Sequence, residues 1–292
     1  MADGAAGLRA VEAVLRCPVC TADLRVAPDS GSLVCDDAGH RFDIARQGYV
    51  SLLDGRAGHH LSDTAAMVAA RRRVHASGVF DSVADTVADL VASTASTDGP
   101  DMMVDAGAGT GHYLARCLDR TPTARGLGID LSKYCARAIA KVHPRSAAVV
   151  ADIWRPLPIA SGSVGAILSI FSPRNVAEFG RVLHRDGVLA VVTPNADHLA
   201  EIVDPMGMLA VGADKDERLQ AALDDVFAAA DTAVVRTEHE LGAAAIADLV
   251  AMGPSAFHAT SAEIDRGAQA VAGQGATLPV TVSVTVTTWR PR

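Results

Sequence analysis

The sequence is poor in aromatic residues and has no long apolar run. Aromatic residues make up 4% of the 292 residues, whereas hydrophobic residues make up 49%, much of it Ala and Val. No stretch approaches the roughly 18 consecutive apolar residues of a membrane-spanning helix. The N-terminus carries Asp3 and Glu12 and lacks the basic start and apolar stretch of a signal peptide. We therefore expect a soluble cytoplasmic protein without a membrane partner.

An excess of positive charge is also missing. The chain has 26 Lys and Arg against 34 Asp and Glu, a net charge of −8. Phosphate contacts need basic side chains, so this acidity counts mildly against a nucleic-acid partner, although local patches decide binding. The one dense basic run, Arg71-Arg72-Arg73, lies in a predicted helix. We interpret it as a solvated helix face.

Cysteine is scarce, and its spacing favours a metal site over disulfides. Three of the five cysteines, Cys17, Cys20 and Cys35, are followed closely by His40 in the pattern C-x2-C-x14-C-x4-H. Three thiolates and an imidazole suit tetrahedral Zn²⁺, and four protein ligands indicate a closed structural site. A module of about forty residues buries too little apolar surface to fold alone, so the metal would supply folding energy. We predict an N-terminal zinc module over residues 1–54.

A glycine-rich loop follows the predicted zinc module. Asp105 ends a predicted strand, and Gly107, Gly109 and Gly111 open the next helix. Glycines let the backbone turn sharply and approach a cofactor without Cβ clashes. A dinucleotide fingerprint would need Gly at the position of His112. The spacing D-x-G-x-G-x-G is instead the form found in S-adenosylmethionine (SAM)-dependent methyltransferases.

The ends of the next two predicted strands supply further cofactor contacts. Asp130, followed by Leu131, can accept hydrogen bonds from both ribose hydroxyls. Asp152 either accepts the adenine amino group or is an ordinary helix N-cap or turn aspartate. The predicted cofactor-binding residues are Asp105, Gly107, Gly109, Gly111, His112, Asp130, Leu131 and Asp152.

Short apolar runs alternate with helical segments from residue 100 onward, which predicts right-handed crossovers and a parallel sheet. The expected strands cover 102–106, 126–130, 147–151, 166–171, 188–193, 232–236 and 278–289. The last strand alternates over its valines and predicts a half-exposed antiparallel pair at one edge. We predict an α/β fold of the class I SAM-dependent methyltransferase type: Rossmann-like, with a mostly parallel seven-stranded sheet over 100–292. Residues 55–99 would form a linker and a helical segment, with Ser62 or Asp63 as an N-cap.

The loop after the fourth predicted strand, Phe171-Ser172-Pro173, is the candidate catalytic segment. Ligands in this fold lie at the carboxyl ends of the strands, so the loop faces the methyl donor. Phe171 either stacks on a target base or is an ordinary core aromatic. The Ser172-Pro173 peptide could present a carbonyl to the edge of that base.

The sequence resembles the large-subunit ribosomal RNA guanine-N1 methyltransferases of the RlmA and TlrB type over about residues 15–289. The resemblance lies in the zinc knuckle and in four segments, His40–Leu53, Ser62–Arg72, Ile170–Leu183 and Thr193–Leu199. It departs from the family at the turn His184–Gly187, where Pro before Gly is more usual, and at Gly253, where Thr is usual.

This resemblance implies a zinc module that helps grip a hairpin of 23S rRNA, and a core that methylates guanine N1 there. Nucleotide 748 is the favoured target and nucleotide 745 the alternative, with a contribution to resistance against tylosin-type macrolides. The resemblance also implies a homodimer. The N1 proton would need an acceptor, for which Glu178 and His198 are candidates.

Two other functions remain open at this stage. A small-molecule methyltransferase could use zinc only to brace its fold, with an apolar pocket supplied by the Ala- and Val-rich segment 205–252. A non-catalytic SAM-binding regulator could use the zinc module to dock RNA or protein.

Overall fold

The computed structural model describes residues 5–53, 61–94, 99–208, 221–273 and 275–292. The predicted linker over 54–60 lies outside the described residues. Within those ranges, no helix is both long and apolar enough to cross a lipid bilayer.

The N-terminal module is a small antiparallel sheet preceded by a short helix. Its elements are α1 (Ala6–Val11), a 3₁₀ turn (Glu12–Val14), β1 (Leu24–Val26), β2 (Ser32–Cys35), β3 (Arg41–Asp43) and β4 (Tyr49–Ser51). Strands β1, β2 and β3 pair in that order, whereas β4 leaves this sheet.

Two helices connect the module to the main sheet, α2 (Ala65–Ala76) and α3 (Asp81–Thr94). The predicted N-cap at Ser62 or Asp63 is wrong, because the side chain of Thr64 accepts the hydrogen bond from the backbone N–H of Met67 (3.3 Å). Asp63 is instead engaged in an ion pair with Arg71.

The remaining elements alternate between strands and helices, as predicted. They are β5 (Met102–Ala106), α4 (His112–Arg120), β6 (Arg125–Asp130), α5 (Lys133–Val142), β7 (Ser146–Val150), β8 (Val164–Ile170), α6 (Val176–Val182), β9 (Leu183–Pro194), α7 (Ala200–Val203), β10 (Phe227–Gly242), α8 (Ala243–Ala251), a 3₁₀ turn (Pro254–Phe257), α9 (Ser261–Ala272) and β11 (Thr277–Pro291).

The main sheet has eight strands in the order β10-β11-β9-β8-β5-β6-β7-β4. Strand β11 is antiparallel to both of its neighbours, and the other pairings are parallel. The seven expected strands are present, and β4 of the N-terminal module adds the eighth. This arrangement confirms the predicted class I methyltransferase architecture.

Strand β11 is not half-exposed, contrary to the expectation from its alternating sequence. It lies between β9 and β10, and both Val282 (0% exposed) and Ser283 (2% exposed) are buried. The face that carries the hydroxyl side chains can be buried because those hydroxyls have hydrogen-bond partners. Thr281 donates to Glu201 (2.6 Å) and Thr285 donates to Asn195 (2.8 Å). An alternation of valine with threonine and serine therefore resembles that of a half-exposed strand, although both faces of this strand are buried.

The N-terminal module and the main sheet share one hydrophobic core. Leu8 and Leu15 belong to the same buried cluster as Leu127 and Val149 of the main sheet. Strand β4 pairs in parallel with β7, and this ladder continues where Leu52 N–H donates to the carbonyl of Val150 (2.9 Å). A sequence boundary at residue 54 therefore separates two motifs but does not separate two cores.

Candidate functional site

A cavity of about 400 Å³ opens at the carboxyl ends of the parallel strands. Each of four strand ends contributes a residue to its wall, namely Asp105, Asp130, Asp152 and Phe171. This is the edge at which open α/β sheets bind their ligands. The predicted cofactor loop and the predicted catalytic loop therefore meet in one cavity.

The glycine loop is shaped for close approach of a ligand. Gly107 and Gly109 have φ values of +82° and +55°. A Cβ atom on Gly107 would lie 2.6 Å from the Cβ of Ser172, and one on Gly109 would lie 3.0 Å from Nη1 of Arg71. The N–H groups of Gly107 and Ala108 donate to the carbonyl of Ile129, which fixes the loop. The left-handed backbone favours glycine at both positions, and at Gly107 the contact with Ser172 also excludes a Cβ.

Gly111 and His112 are not part of the cavity wall, although the motif predicted both as cofactor contacts. Gly111 (φ +78°) serves packing, because a Cβ there would lie 2.9 Å from Val142. The imidazole of His112 stacks on His75 with the ring centroids 4.2 Å apart. As the first residue of α4, His112 turns away from the cavity, a direction that a linear motif does not specify.

Substituting Gly107 by Ala is expected to weaken SAM binding by about 100-fold, because the new Cβ must displace Ser172 and the left-handed backbone is strained. Gly162→Ala is the matched control, because Gly162 has φ +61° and no atom lies within 4 Å of the position that a Cβ would take there. This control carries the strain without the steric clash. Isothermal titration with SAM measures both, and equal losses would contradict a cradle at Gly107.

Two carboxylates lie in the wall of the cavity, Asp105 buried and Asp130 half-buried. Both oxygens of Asp130 accept backbone hydrogen bonds, from Gly109 N–H (2.9 Å) and Ser132 N–H (2.8 Å). Asp105 is 2% exposed, and its Oδ2 has no hydrogen-bond partner among the residues that the structure describes. Burial, with a smaller effect of the Asp130 carboxylate, raises the pKa of Asp105 to about 8. Burial also raises the pKa of Asp130 to about 6, against the lowering effect of its two N–H donors.

These groups fit SAM. An orphaned buried carboxylate oxygen needs a donor or a cation, and the ammonium of the methionine part supplies both. Asp130 retains acceptor capacity for ribose hydroxyls. Arg71 lines the same cavity and offers a cation to the carboxylate of the ligand.

The basic run Arg71-Arg72-Arg73 is not a uniformly solvated face, which corrects the sequence-based interpretation. Arg71 lies inward, where it pairs with Asp63 and donates to the carbonyl of Met252 (2.7 Å). Arg73 pairs with Asp248 on α8 (2.5 Å) but stays exposed, so Arg72 and Arg73 follow the predicted pattern and Arg71 does not. Successive helix positions lie about 100° apart, so three consecutive arginines cannot share one face.

Leu131 and Asp152 lie in the cavity wall, as predicted. Asp152 is also a turn aspartate, since its Oδ1 accepts from the N–H of Trp154 (3.0 Å). The turn-aspartate interpretation is confirmed, and because the carboxylate also faces the cavity, its contact with the adenine amino group stays a prediction.

Phe171 has an unusual backbone and an exposed ring. Its φ of +50° lies in the left-handed region, which costs a non-glycine residue about 1 kcal/mol or more. The ring is 44% exposed, contacts Phe80 edge-to-face (5.9 Å between centroids) and stacks on His198 (5.7 Å). Phe171 is therefore not an ordinary core aromatic. This left-handed backbone conformation places an aromatic face at the cavity.

Ser172 and Pro173 also line the cavity. The hydroxyl of Ser172 lies 3.2 Å from that of Ser169, which fixes the loop to the end of β8. Proline has no backbone N–H, so the peptide between these residues offers only an acceptor. The loop thus presents an aromatic face beside a hydrogen-bond acceptor.

The two candidate proton acceptors are both engaged elsewhere. Glu178 accepts from the N–H of Leu157 (2.6 Å) and from Arg181 (2.6 Å), and it is not in the cavity wall. Burial acts to raise the pKa of Glu178, but these hydrogen bonds lower it below its usual range. Glu178 therefore forms a structural ion pair with Arg181 and does not act as the base.

His198 accepts a hydrogen bond at Nδ1 from the N–H of Ser283 (3.2 Å). A neutral ring in this arrangement carries its proton on Nε2 and is a donor there. Burial lowers the pKa of His198 to about 4, so the ring is neutral at physiological pH. Its contact with Phe171 makes it a support for that ring.

Other cavity residues were not predicted as site residues. Met252, whose carbonyl accepts from Arg71, is 181 positions away from it, and this distance gave no reason to place it at the site. Trp154 could have been found, because it is one of two tryptophans and follows the strand end at Asp152. Leu61 and Ser62 precede α2 and also line the cavity.

The four predicted metal ligands converge at the tip of the N-terminal module. The ligand atoms of Cys17, Cys20, Cys35 and His40 all lie within 4.8 Å of one another. His40 offers Nδ1, which is 3.5 Å from the sulfur of Cys17 and 3.6 Å from that of Cys20. A zinc tetrahedron has S···N edges of about 3.5 Å, so the donor set and its spacing fit Zn²⁺. The site is closed by protein ligands, as a structural zinc site requires.

Comparisons with known proteins match both parts of the chain. The zinc-ribbon family described as RlmA, N-terminal, matches residues 15–56, and a methyltransferase-domain family matches residues 104–191. The chain is 42% identical to the 23S rRNA (guanine(748)-N(1))-methyltransferase of Streptomyces fradiae, over 95% of this chain and 96% of the relative.

A second relative extends this similarity. A protein of Micromonospora griseorubida, named as a candidate 23S rRNA (guanine-N(1)-)-methyltransferase, is 43% identical over 95% of this chain and 97% of its own length. Both alignments include the ribbon and the cofactor cavity. The chain therefore belongs to the 23S rRNA (guanine-N1)-methyltransferase family and carries its zinc ribbon ahead of a SAM-dependent methyltransferase domain.

Proposed function

We propose that the protein transfers a methyl group from SAM to N1 of a guanine in a 23S rRNA hairpin, with nucleotide 748 as the target. The observation that carries this proposal is the end-to-end similarity to the Streptomyces fradiae enzyme named for that nucleotide, at 42% identity. A ribosomal RNA substrate also implies action in the cytoplasm. In this proposal residues 1–54 recognise RNA and residues 100–292 catalyse the transfer.

The cavity supplies the parts that this reaction needs. SAM, when bound, supplies an electrophilic methyl group. Asp105, Asp130 and Arg71 would hold its charged and hydroxyl groups, and orientation of the two reactants accounts for much of the rate. Water is kept from the inner wall by Ile153 and Ile170, which are 8% and 6% exposed.

The substrate guanine must leave its base pair, because N1 lies in the Watson–Crick face. Phe171 would receive the unpaired base by stacking, and the strained backbone keeps that ring at the cavity rather than in the core. The Ser172 carbonyl would accept a hydrogen bond from the N2 amino group beside N1, which leaves N1 open toward the methyl donor. Phe171 and the Ser172 carbonyl are positioned before the RNA binds, which avoids reorganisation during the reaction. The N1 proton would pass to solvent water, because Glu178 and His198 are engaged elsewhere.

The test is methyl transfer from labelled SAM to an unmethylated 23S rRNA fragment that contains the hairpin. Primer extension should stop at nucleotide 748, because N1-methylguanine cannot form a Watson–Crick pair. A stop at nucleotide 745 would overturn the target assignment, and no incorporation by a protein that binds SAM would favour a small-molecule methyltransferase or a regulator. Expression in a tylosin-sensitive host measures the proposed contribution to macrolide resistance.

The proposal includes a homodimer, which the family resemblance implies. Two copies would place two zinc ribbons beside one RNA hairpin. Sedimentation with and without the RNA fragment measures the stoichiometry, and a single copy of the chain on each RNA would contradict the dimer.

A further inference from the structure

Exposed apolar side chains are concentrated at one place on the described surface. Five large hydrophobic residues are exposed among the described ranges, and three of them, Leu61, Trp154 and Phe171, line the cavity. A fourth, Val19, lies between the zinc ligands Cys17 and Cys20 and is 59% exposed. Single exposed hydrophobic residues are normal, but a group of them around one opening indicates a binding surface.

Trp154 lies at the rim of the cavity rather than in its inner wall. Its neighbour Ile153 is 8% exposed and lies 3.8 Å from the position that a Cβ on Gly107 would take. Ile153 therefore faces the cofactor loop. Trp154 is 55% exposed, and in the described part of the chain its ring contacts no other aromatic ring and no cation.

The backbone beneath Trp154 is nevertheless fixed. The N–H of Trp154 donates to Oδ1 of Asp152 (3.0 Å), and the N–H of Arg155 donates to the Asp152 carbonyl (3.1 Å). A large flat side chain is thus held outward on an ordered turn. Such a side chain has little conformational freedom to lose when a flat ligand stacks on it.

The same turn adjoins the zinc knuckle. A shallow pocket of about 70 Å³ is lined by Pro18 on the knuckle side and by Asp152, Arg155 and Pro156 on the turn side. This space is too small for a nucleobase. It marks the place where Pro18 of the ribbon adjoins the turn that carries Trp154.

We propose that Trp154, on the turn that adjoins Pro18 of the zinc knuckle, is a stacking platform for the unpaired nucleobase next to the target guanine. This inference rests on the proposed function and deepens it. Sequence-specific RNA recognition uses unpaired loop bases that stack on aromatic side chains. Stacking needs no positive charge, which suits a chain with a net charge of −8.

The test compares Trp154→Ala and Trp154→Phe with the matched control Val234→Ala. Val234 is 67% exposed on the edge strand β10, so its truncation removes exposed apolar surface away from the site. Trp154→Ala is expected to raise the Kd for the 23S rRNA hairpin by about 5- to 100-fold, the range for one lost base stack. Trp154→Phe should recover most of that loss, and Val234→Ala should bind like the parent protein.

Two further measurements separate this role from a structural one. The Kd for SAM should stay within about twofold in Trp154→Ala, and KM for RNA should rise more than kcat falls. Trp154 and Trp289 are the two tryptophans, and Trp289 is 2% exposed, so RNA that stacks on Trp154 should quench the exposed part of the fluorescence. Trp154→Phe should abolish that quenching.

The outcomes distinguish a failure of the stacking role of Trp154 from a failure of the proposed function. An unchanged RNA Kd in Trp154→Ala, with methylation by the parent protein intact, would overturn the platform alone. A parallel loss of SAM affinity would also overturn it, since Trp154 would then cover the adenine. Failure of the parent protein to bind or methylate the hairpin would overturn the proposed function itself.

Discussion

Replacing Asp105 with Asn is expected to weaken SAM binding by about 100-fold or more while raising the melting temperature of the ligand-free protein by about 3 °C or more. The side chain is 2% exposed and its Oδ2 has no hydrogen-bond partner in the described part of the chain, so an ionised carboxylate there is costly until a cation binds. An amide of the same shape avoids the cost and also loses the attraction. Binding and stability should therefore move in opposite directions.

The sign follows from the pKa of Asp105, which burial and the Asp130 carboxylate raise from 3.8 to about 8. Between these values the folded protein holds a proton that the unfolded chain has released, so the stability of the folded state falls as pH rises through this window. The advantage of Asp105→Asn should be small near pH 4 and largest near pH 8. Binding of SAM to the parent protein at pH 7 should release a proton from Asp105.

Calorimetry in buffers of different ionisation enthalpy measures that proton, and thermal unfolding across pH measures the stability. Asp101→Asn is the matched control, because Asp101 is an exposed aspartate that immediately precedes the first residue of β5, the strand that contains Asp105. A loss of stability in Asp105→Asn, or unchanged SAM affinity, would show that Asp105 has a structural role and that the ammonium binds elsewhere.

Replacing Cys35 with Ser is expected to release zinc, to lower the melting temperature of the whole chain by at least about 5 °C and to reduce RNA methylation by about 50-fold or more. Cys35 is 2% exposed, and the ribbon strands have only three or four residues each. Structural zinc supplies about 10 kcal/mol or more of folding free energy in such modules. Because Leu8 and Leu15 share a core with the main sheet, damage to the ribbon exposes part of that core as well.

Cys117→Ser is the control for loss of a buried cysteine. Cys117 is 0% exposed in the other hydrophobic cluster, away from the zinc ligands. It should also lower the melting temperature but keep about one zinc per chain, measured by mass spectrometry of the metal, and retain methylation of the RNA. Full methylation by a zinc-free Cys35→Ser protein would show that the ribbon has no part in recognising the substrate.

The sequence predicts most of this architecture because its signals are local. The knuckle Cys17–Cys20 and the loop around Gly107 are short motifs whose spacing has a direct chemical reason. Strand ends at Asp130 and Asp152 follow from short apolar runs, and parallel pairing then brings them to one edge. Each of these inferences needs only a few neighbouring residues.

The parts that the sequence misses depend on distant contacts. Arg71 looks like one of three surface arginines until its partners Asp63 and Met252 are seen beside it. His112 belongs to the right motif but faces His75, because the helix starts with that side turned away from the cavity. The left-handed backbone of Phe171 has no signature in composition or periodicity.

The pairing of β4 with β7 has a geometric consequence for substrate choice. Backbone hydrogen bonds and a common core join the ribbon to the sheet that carries the cavity. Among the described residues, the ribbon and the sheet are therefore not separated by a hinge at this junction. For an RNA held by the ribbon, as proposed, the distance from the point of grip to the reacting centre is then constant. We expect the enzyme to select its guanine by the distance along the hairpin between the bound ribbon and the cavity. The identity of the base at that distance would then be recognised only in the cavity.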